Sequence, residues 1–501
     1  MIRARWASLL LLLPTVPASA QVMPWIEANR ARILADYVEL LTIPNVAGDI
    51  PNIRRNADHI VGMMRARGLS PRLLETGDPS AAPAVYGEWL VPGATRTLVL
   101  YAHYDGQPVA PEDWKSGPPF TPVLRSERMD KGGEVLELPS ESAAIRPEWR
   151  LYARSASDDK AGVMAIIAAV DALKAAGKRP SFNLKIFLEG EEEAGSPNLA
   201  AMLAKHRELL RSDGWVIFDG PDHPSGAGQV VLGVRGVVGV DLAIYGPVRP
   251  LHSGHYGNWA PNPAMMLSRL LASMKDEKGR VAVAGFYDDV VPLTDRERKA
   301  VEAVPSVDDR LREDLGLAAT EGDGRSLAAL IQEPSLNVGG IRSADVGESG
   351  RNVIPTIAEA RLDLRLVMGN DHVRQVQKLV RHIEGQGYKV LDRAPTMAER
   401  RQWPMIATVK AGSGYNAERT SLDAPLATSV IAATRDHGAT VILPTMGGSL
   451  PLFVLRETLA VPSVGLALAN HDNNQHAEDE NLRLGHLWRA IDVAAAVMTM
   501  R

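Results

Sequence analysis

Hydrophobic positions along the chain change their period repeatedly, and each change marks an element. Residues 23–42 and 56–67 carry apolar side chains at helical spacing, and the second run stops at Gly68. Over 97–101 the run Thr-Leu-Val-Leu-Tyr predicts a buried strand that leads into Ala102-His103-Tyr104-Asp105-Gly106. Apolar residues at 163, 166, 167, 170 and 173 predict a helix over 161–176, closed by Gly177. Phe182, Leu184, Ile186 and Leu188 alternate with more polar neighbours and predict another strand. A helix over 198–210 follows, then a strand over 215–218 that ends at Asp219-Gly220. Strands alternating with helices predict an α/β fold with a mostly parallel sheet covered by helices.

From about Gly236 the pattern changes. The stretch 237–245 alternates less regularly, 262–274 is helical, and 357–366 alternates cleanly. In the last of these Ala358, Ala360, Leu362, Leu364 and Leu366 share one face, while Glu359, Arg361, Asp363 and Arg365 share the other. One wet face predicts a smaller α+β domain, partly antiparallel, inserted into the first. Helices over 426–437 and 484–498 and a strand over 461–468 return to the opening pattern. The expected organisation is a leader (1–20), a larger domain in two parts (21–236 and 396–501) and a smaller inserted domain (237–395). The proline-rich segment 108–147 reads as irregular loop, with a short strand over 150–153.

Composition narrows the partners. At 501 residues the chain is long enough for two or three domains, and a net charge of −5 gives no case for nucleic acid. Arg3 and Arg5 precede an apolar run over 6–13, and Ala18-Ser19-Ala20 follows, which reads as a cleavable export signal with the mature chain beginning at Gln21. The run is too short to span a bilayer, so a soluble periplasmic or secreted protein is expected. There is no cysteine, so no disulfide and no thiolate is available, and any transition-metal site must use His, Asp and Glu.

One stretch concentrates the chemistry. The strand that begins at Phe182 ends in Glu189-Gly190-Glu191-Glu192-Glu193, four carboxylates in five residues. Carboxylates crowded at the end of a buried strand need a counter-charge. His103, Asp158, Asp219 and His476 also follow predicted strands, and in an open α/β sheet ligands bind at the carboxyl ends of strands. Taken singly each has an ordinary reading: a loop histidine, a helix-capping aspartate pair at Asp158-Asp159, a turn aspartate before Gly220. Taken together they supply enough ligands for two metal ions.

The motifs His103-Tyr104-Asp105, Ser157-Asp158-Asp159-Lys160, Glu189 to Ser196, Phe218-Asp219, His252-Ser253-Gly254 and His476 run through almost the whole chain. In this order they resemble the di-zinc metallopeptidase family of aminoacylases, carnosinase-type dipeptidases and glutamate carboxypeptidases. The resemblance implies a di-zinc exopeptidase-like fold in which His103, Asp158, Glu193, Asp219 and His476 bind two divalent ions, with Asp158 bridging. Zinc is expected, and manganese or cobalt would accept the same ligands. Counting back from Gly195-Ser196, the resemblance makes Glu192 the general base and Glu193 a ligand, and leaves Glu191 as a supporting or solvent-facing charge. Asp105 would orient His103, and His252 would stabilise the oxyanion from a lid, often across a homodimer. Arg365, Asn262 and the glycine-rich Gly447-Gly448-Ser449 would bind substrate. Two features depart from the pattern or compete with it: Ala153 and Ser155 stand where the family usually has glycine, and His471 competes with His476 as the last ligand.

The resulting expectation is a metal-dependent hydrolase that cleaves dipeptides or short peptides with a free C-terminal carboxylate. The alternatives are an N-acyl-amino-acid amidohydrolase and a non-catalytic binding protein on the same fold.

Overall fold

The computed structural model describes residues 19–139, 144–448, 450 and 452–501. Nearly all of the expected leader and Ser449 of the glycine-rich loop lie outside the described residues. Two main sheets organise the chain. The larger has eight strands, and its four central ones, Asn183–Glu189, Thr97–His103, Gly214–Phe218 and Ser463–Leu466, lie side by side in that order. All three pairings among them are parallel, so four carboxyl ends open on one edge. The outer strands Ala84–Trp89 and Gly228–Val231 pair antiparallel with this block.

Both faces are covered, as the continuous apolar strands require. On one face lie the helices Ser19–Leu41, Ile50–Ala66, Lys160–Ala175 and Leu484–Met498; on the other lie Leu199–Lys205 and Leu452–Leu459. Helix Lys160–Ala175 is the innermost, with Val163, Ile166, Ile167, Val170 and Leu173 all fully buried. Truncating Ile166 to Ala would cost about 2–5 kcal/mol. Gly162, in its first turn, lets the helix approach the sheet: a Cβ there would lie 2.4 Å from the Phe218 carbonyl oxygen. That approach sets the start of the helix beside the strand that ends before Asp219.

The second sheet has five strands, ordered Ser335–Arg342, Ile357–Leu366, Gly236–Tyr245, Ile406–Tyr415 and Lys389–Leu391. Helices Pro263–Ala272 and His372–Gly385 pack on one face around Val240, Leu242, Leu362 and Leu364. The other face carries Glu359, Arg361, Asp363 and Arg365, the wet face that the alternation predicts. Strand Ile406–Tyr415 pairs along most of Gly236–Tyr245, so this sheet continues past residue 395, where the sequence places the domain boundary. Its Lys410, Gly412 and Gly414 and its exposed middle hide it from a hydropathy reading. The segment 108–147 is also less irregular than expected. Val123–Arg125 and Val135–Leu136 join Arg150–Tyr152 and Asn481–Arg483 in a separate four-stranded sheet. The strand before Asp158 is therefore not part of the parallel block. Among the described residues no helix is long and apolar enough to cross a membrane.

One buried pair ties the closing helix to the rest. His437 Nδ1 is hydrogen-bonded to Asp492, and this bond raises the His437 pKa while burial opposes it. A raised folded value means that the pair's stabilisation is complete below about pH 6.5 and is lost as pH rises through the folded pKa. His437→Gln is therefore expected to lose more urea resistance at about pH 6 than at about pH 9. An equal loss at both values would contradict this assignment.

Candidate metal centre

The carboxyl edge of the parallel block gathers side chains from all parts of the chain. His103 is the last residue of its strand and is completely buried. Its Nε2 lies 3.0 Å from Asp158 Oδ1 and 3.8 Å from Asp219 Oδ2. His476 Nε2 lies 3.1 Å from Asp158 Oδ2 and 3.3 Å from Glu193 Oε2. The two oxygens of Asp158 thus face two different imidazoles, each with a further carboxylate beside it. This is a two-centre donor set, with Asp219 and His103 on one side and Glu193 and His476 on the other. His471 makes no contact with this set, so of the two competing histidines His476 is the one brought to it.

The lack of sulfur and the mixture of imidazole and carboxylate suit divalent ions. Local energetics point the same way. Burial pushes Glu193 up to about 8 and Asp219 up to about 6, with Asp158 adding to both. Burial also pushes Glu192 well above the carboxylate range, although His103 opposes it. His476 rises to about 8 through its hydrogen bond to Asp158. Burial alone would raise Asp158, but His103 and His476 hold it well below the usual value. Without cations the cluster retains protons, as closely placed carboxylates must. His103, Asp159 and Asp219 also offer ligand atoms within 4.8 Å of one another. Asp159, however, is committed elsewhere: its oxygens accept from the backbone N–H groups of His103 and Gly162, and it caps helix Lys160–Ala175. The capping reading of the Asp pair is right for Asp159 and wrong for Asp158.

The acidic run divides its work. Glu189 ends its strand and accepts from the Tyr101 hydroxyl at 2.8 Å. Glu191 is buried and accepts from the backbone N–H groups of Asn198 and Ala82, so it holds loops together and does not face solvent. Glu192 to Ala194 form one 3₁₀ turn. Asp105 fixes this turn, because its oxygens accept the N–H of Glu192 at 3.1 Å and of Glu193 at 3.0 Å. Asp105 Oδ1 also lies 3.3 Å from His103 Nδ1, so one buried carboxylate orients the histidine and the acidic turn together. Glu192 Oε2 sits 3.9 Å from His103 Nε2, at the edge of the cluster.

Several supporting residues go beyond those named from the sequence. Gln107 donates to Glu193 at 2.7 Å and Gln475 donates to Asp158 at 3.2 Å. Glu480 is the most consequential. It is fully buried and accepts from the backbone N–H groups of Ser155, Ser157 and Asp158, from the Ser157 hydroxyl and from Arg154. Its sequence signal is its place four residues after His476. The departure at Ser155 falls on left-handed backbone, with φ at 61°, which explains a preference for glycine there. His476 is also left-handed, with φ at 63°.

Other expected site residues lie apart from the cluster. Asn262 caps helix Pro263–Ala272, its side-chain oxygen accepting the Ala264 N–H at 2.9 Å. His252 is exposed, with its ring 4.5 Å from that of His255 and its Nδ1 accepting the Gly254 N–H. Arg365 Nε donates to Asp363 at 2.9 Å on the wet face of the second sheet. Gly448 accepts the Arg235 N–H at 3.2 Å, which ties the glycine-rich loop to the start of strand Gly236–Tyr245.

A parallel sheet whose carboxyl edge holds histidines and carboxylates around one shared aspartate, with a buried glutamate beside them, defines a metallohydrolase. The chain belongs to peptidase family M20/M25/M40, whose profile matches residues 99–500. It is a metallopeptidase. It is 24% identical over 481 residues to the Cys-Gly metallodipeptidase dug1 of Schizosaccharomyces pombe, covering 93% of this chain and 94% of that one. It is also 29% identical over 322 residues to the human Beta-Ala-His dipeptidase, covering 63% and 59% of the two chains. The solved structure of an M20 family metallo-carboxypeptidase from Sulfolobus solfataricus superposes with a TM-score of 0.74 at 26% identity, over 93% of this chain and 98% of that one.

Glu480→Gln should lower metal affinity about 10–100-fold with every ligand intact, as loss of an orienting partner does. Chelator competition measures it, and an unchanged affinity would refute the clamp.

Proposed function

We propose that the chain is a di-zinc dipeptidase that hydrolyses the peptide bond of dipeptides or short peptides with a free C-terminal carboxylate. The observation that carries this reading is the shared Asp158, with an imidazole and a further carboxylate on each side and Glu192 next to them. Two divalent ions held by His103, Asp158, Glu193, Asp219 and His476 would supply Lewis acidity to the scissile carbonyl and to the attacking water. Glu192 takes a proton from that water and returns it to the leaving amine. Asp105 keeps the Glu192–Glu193 turn and the His103 ring in register during both transfers. The dipeptidase relatives favour peptides over N-acyl amino acids as substrates.

We infer a homodimer, because His252 is exposed and away from its own cluster, and because strand Ser335–Arg342 leaves an open sheet edge with Val338 and Ile341 exposed. In such a dimer His252 would serve the neighbouring site. Export to the periplasm or medium rests on the N-terminal pattern alone. A monomer by light scattering would remove the first inference, and an uncleaved cytosolic protein the second.

Glu192→Ala is expected to lower kcat by about 10²–10⁴-fold or more while the protein keeps its metal, as loss of a general base does. If Glu191→Ala does so with metal retained, and Glu192→Ala does not, the acidic run has been assigned one residue out of place.

A further inference from the structure

A cavity of about 380 Å³ lies beside the metal centre. Part of its lining is the chain that follows the metal-bearing strands: Pro221, Asp222 and His223, just after Asp219, and His471, which the metal centre leaves unused. A second part comes from the edge of the large sheet and the loop after it, through Gln229, Leu443 and Met446. The rest comes from three short helices, Asp295–Glu302, Asp308–Asp314 and Leu327–Leu330, and the turn after them, through Val301, Leu311, Ala328 and Ile331. Such a volume is that of a small-ligand site and far exceeds the space one water needs. Met446 joins the cavity to the centre: its sulfur would lie 3.6 Å from a Cβ at Gly220, the residue after Asp219.

The polar groups that interrupt this apolar lining are of one kind. Asp222 Oδ1, Gln229 Oε1 and Gln332 Oε1 are buried acceptors with no hydrogen-bond partner among the described residues, and all three side chains line the cavity. Their other polar atoms are engaged. Asp222 Oδ2 is held by His486 at 3.1 Å and by Arg489, the Gln229 amide donates to the Pro221 carbonyl oxygen at 2.6 Å, and the Gln332 amide donates to the Thr445 carbonyl oxygen at 3.0 Å. Buried acceptors are rarely left without a donor, and three on one cavity call for a ligand that donates. Glu302 and Asp308 add negative charge, and among the described residues no lysine or arginine lines the cavity. The exposed Arg310 stands nearby and donates to the Pro224 carbonyl oxygen. Burial lowers the pKa of both His223 and His471, so neither supplies a cation near neutral pH. An anion is therefore disfavoured, and an N–H donor on an apolar stem is favoured.

We propose that this cavity is a specificity site that takes a substrate side chain with an apolar stem and an N–H head, above all the alkylammonium of lysine. The inference rests on the dipeptidase reading above, because it makes the occupant part of a peptide held at the neighbouring metal centre. Lysine meets the lining on three counts. Its four-carbon stem matches the aliphatic walls, its ammonium carries three N–H groups for the three open acceptors, and its charge faces Glu302 and Asp308. Water in the cavity would satisfy the same oxygens and would not discriminate between side chains.

The test compares full-length, metal-loaded wild type with Gln332→Met, Gln332→Glu and Ala328→Phe. The substrates are dipeptides that differ in one side chain (lysine, norleucine or glutamate), placed first at the amino-terminal and then at the carboxyl-terminal position, with alanylalanine as reference. At one of the two positions wild type should prefer lysine to norleucine about ten- to hundredfold in kcat/KM, as expected for a charged hydrogen-bonding group, and should reject glutamate. Gln332→Met should remove most of that preference and Gln332→Glu should keep or increase it, although both lose the bond to Thr445. A purely structural Gln332 would move its two variants alike, and melting temperatures identify a variant that fails to fold. Ala328→Phe, which fills the cavity, should lower kcat/KM for the lysine dipeptide more than for alanylalanine. No lysine preference at either position, or one that Gln332→Met and Ala328→Phe leave intact, would overturn the proposal. Calorimetry with n-butylamine, a lysine side chain without its backbone, gives a comparison without turnover. Saturable binding to wild type that Ala328→Phe abolishes supports an ammonium site. The same binding with no preference among substrates overturns the side-chain assignment in favour of a free amine. If wild type cleaves no dipeptide, the dipeptidase reading fails, and n-butylamine binding still decides whether the cavity takes an ammonium.

Discussion

The metal centre depends on how one carboxylate, that of Asp158, is held. Its two oxygens face two imidazoles that arrive from residues 103 and 476, and with them come the remaining donors. Two like charges 4 Å apart repel by about 4 kcal/mol at the effective dielectric of a protein site. A domain has only about 5–15 kcal/mol of net stability, so several such pairs cannot be left uncompensated. Retained protons or bound cations must offset them, and the backbone meanwhile must not yield. Glu480 supplies that resistance. Its carboxylate accepts the N–H groups of Ser155, Ser157 and Asp158 from one loop and is itself balanced by Arg154 at 2.8 Å, with both side chains buried. Removing one partner of such a pair typically costs about 3–5 kcal/mol, which is comparable to the repulsion the loop must withstand.

The two main sheets divide the remaining tasks. The parallel block is rigid and brings four strand ends to one edge, so donors distant in sequence meet without long flexible loops. The antiparallel sheet contributes charge on its wet face, and its register decides which arginines stand next to each other. Arg235 joins them, since its backbone reaches Gly448 while its side chain reaches Glu333 and Ser335. The second sheet is thus tied to the glycine-rich loop beside the metal centre through the backbone of Arg235.

The parts of this arrangement that were legible in the sequence are those with a period or a motif. Strand Ile357–Leu366 alternates five apolar with four charged residues and appears with the same bounds in the structure. The two histidines and the acidic run declare themselves by falling after apolar strands. Strand Ile406–Tyr415 does not, because glycines and a lysine break its pattern and its middle, Lys410 to Ser413, is exposed. The short strands around residues 123–152 are likewise below the length at which alternation can be counted. Asn262 shows a helix-capping role that the sequence reading did not name: its side chain accepts the Ala264 N–H at the start of helix Pro263–Ala272. Glu480 signals itself in sequence only by its place after His476; that its carboxylate is buried and paired with Arg154 appears only in the tertiary structure.

The acidic run itself shows why local geometry matters more than residue type. A strand would send Glu191 and Glu193 to one side and Glu192 to the other. A 3₁₀ turn separates successive side chains by about 120°. The strand stops at Glu189 and the 3₁₀ turn begins at Glu192, held by Asp105, which accepts the N–H groups of Glu192 and Glu193. As a result Glu191 points back to Ala82 and Asn198, Glu192 reaches the His103 side, and Glu193 reaches His476. Three adjacent residues of identical chemistry thereby face three different surroundings: a loop junction, the His103 side of the cluster and the His476 side. A substitution at Asp105 would disturb the last two assignments together and leave the first intact, since the hydrogen bonds of Glu191 do not pass through it.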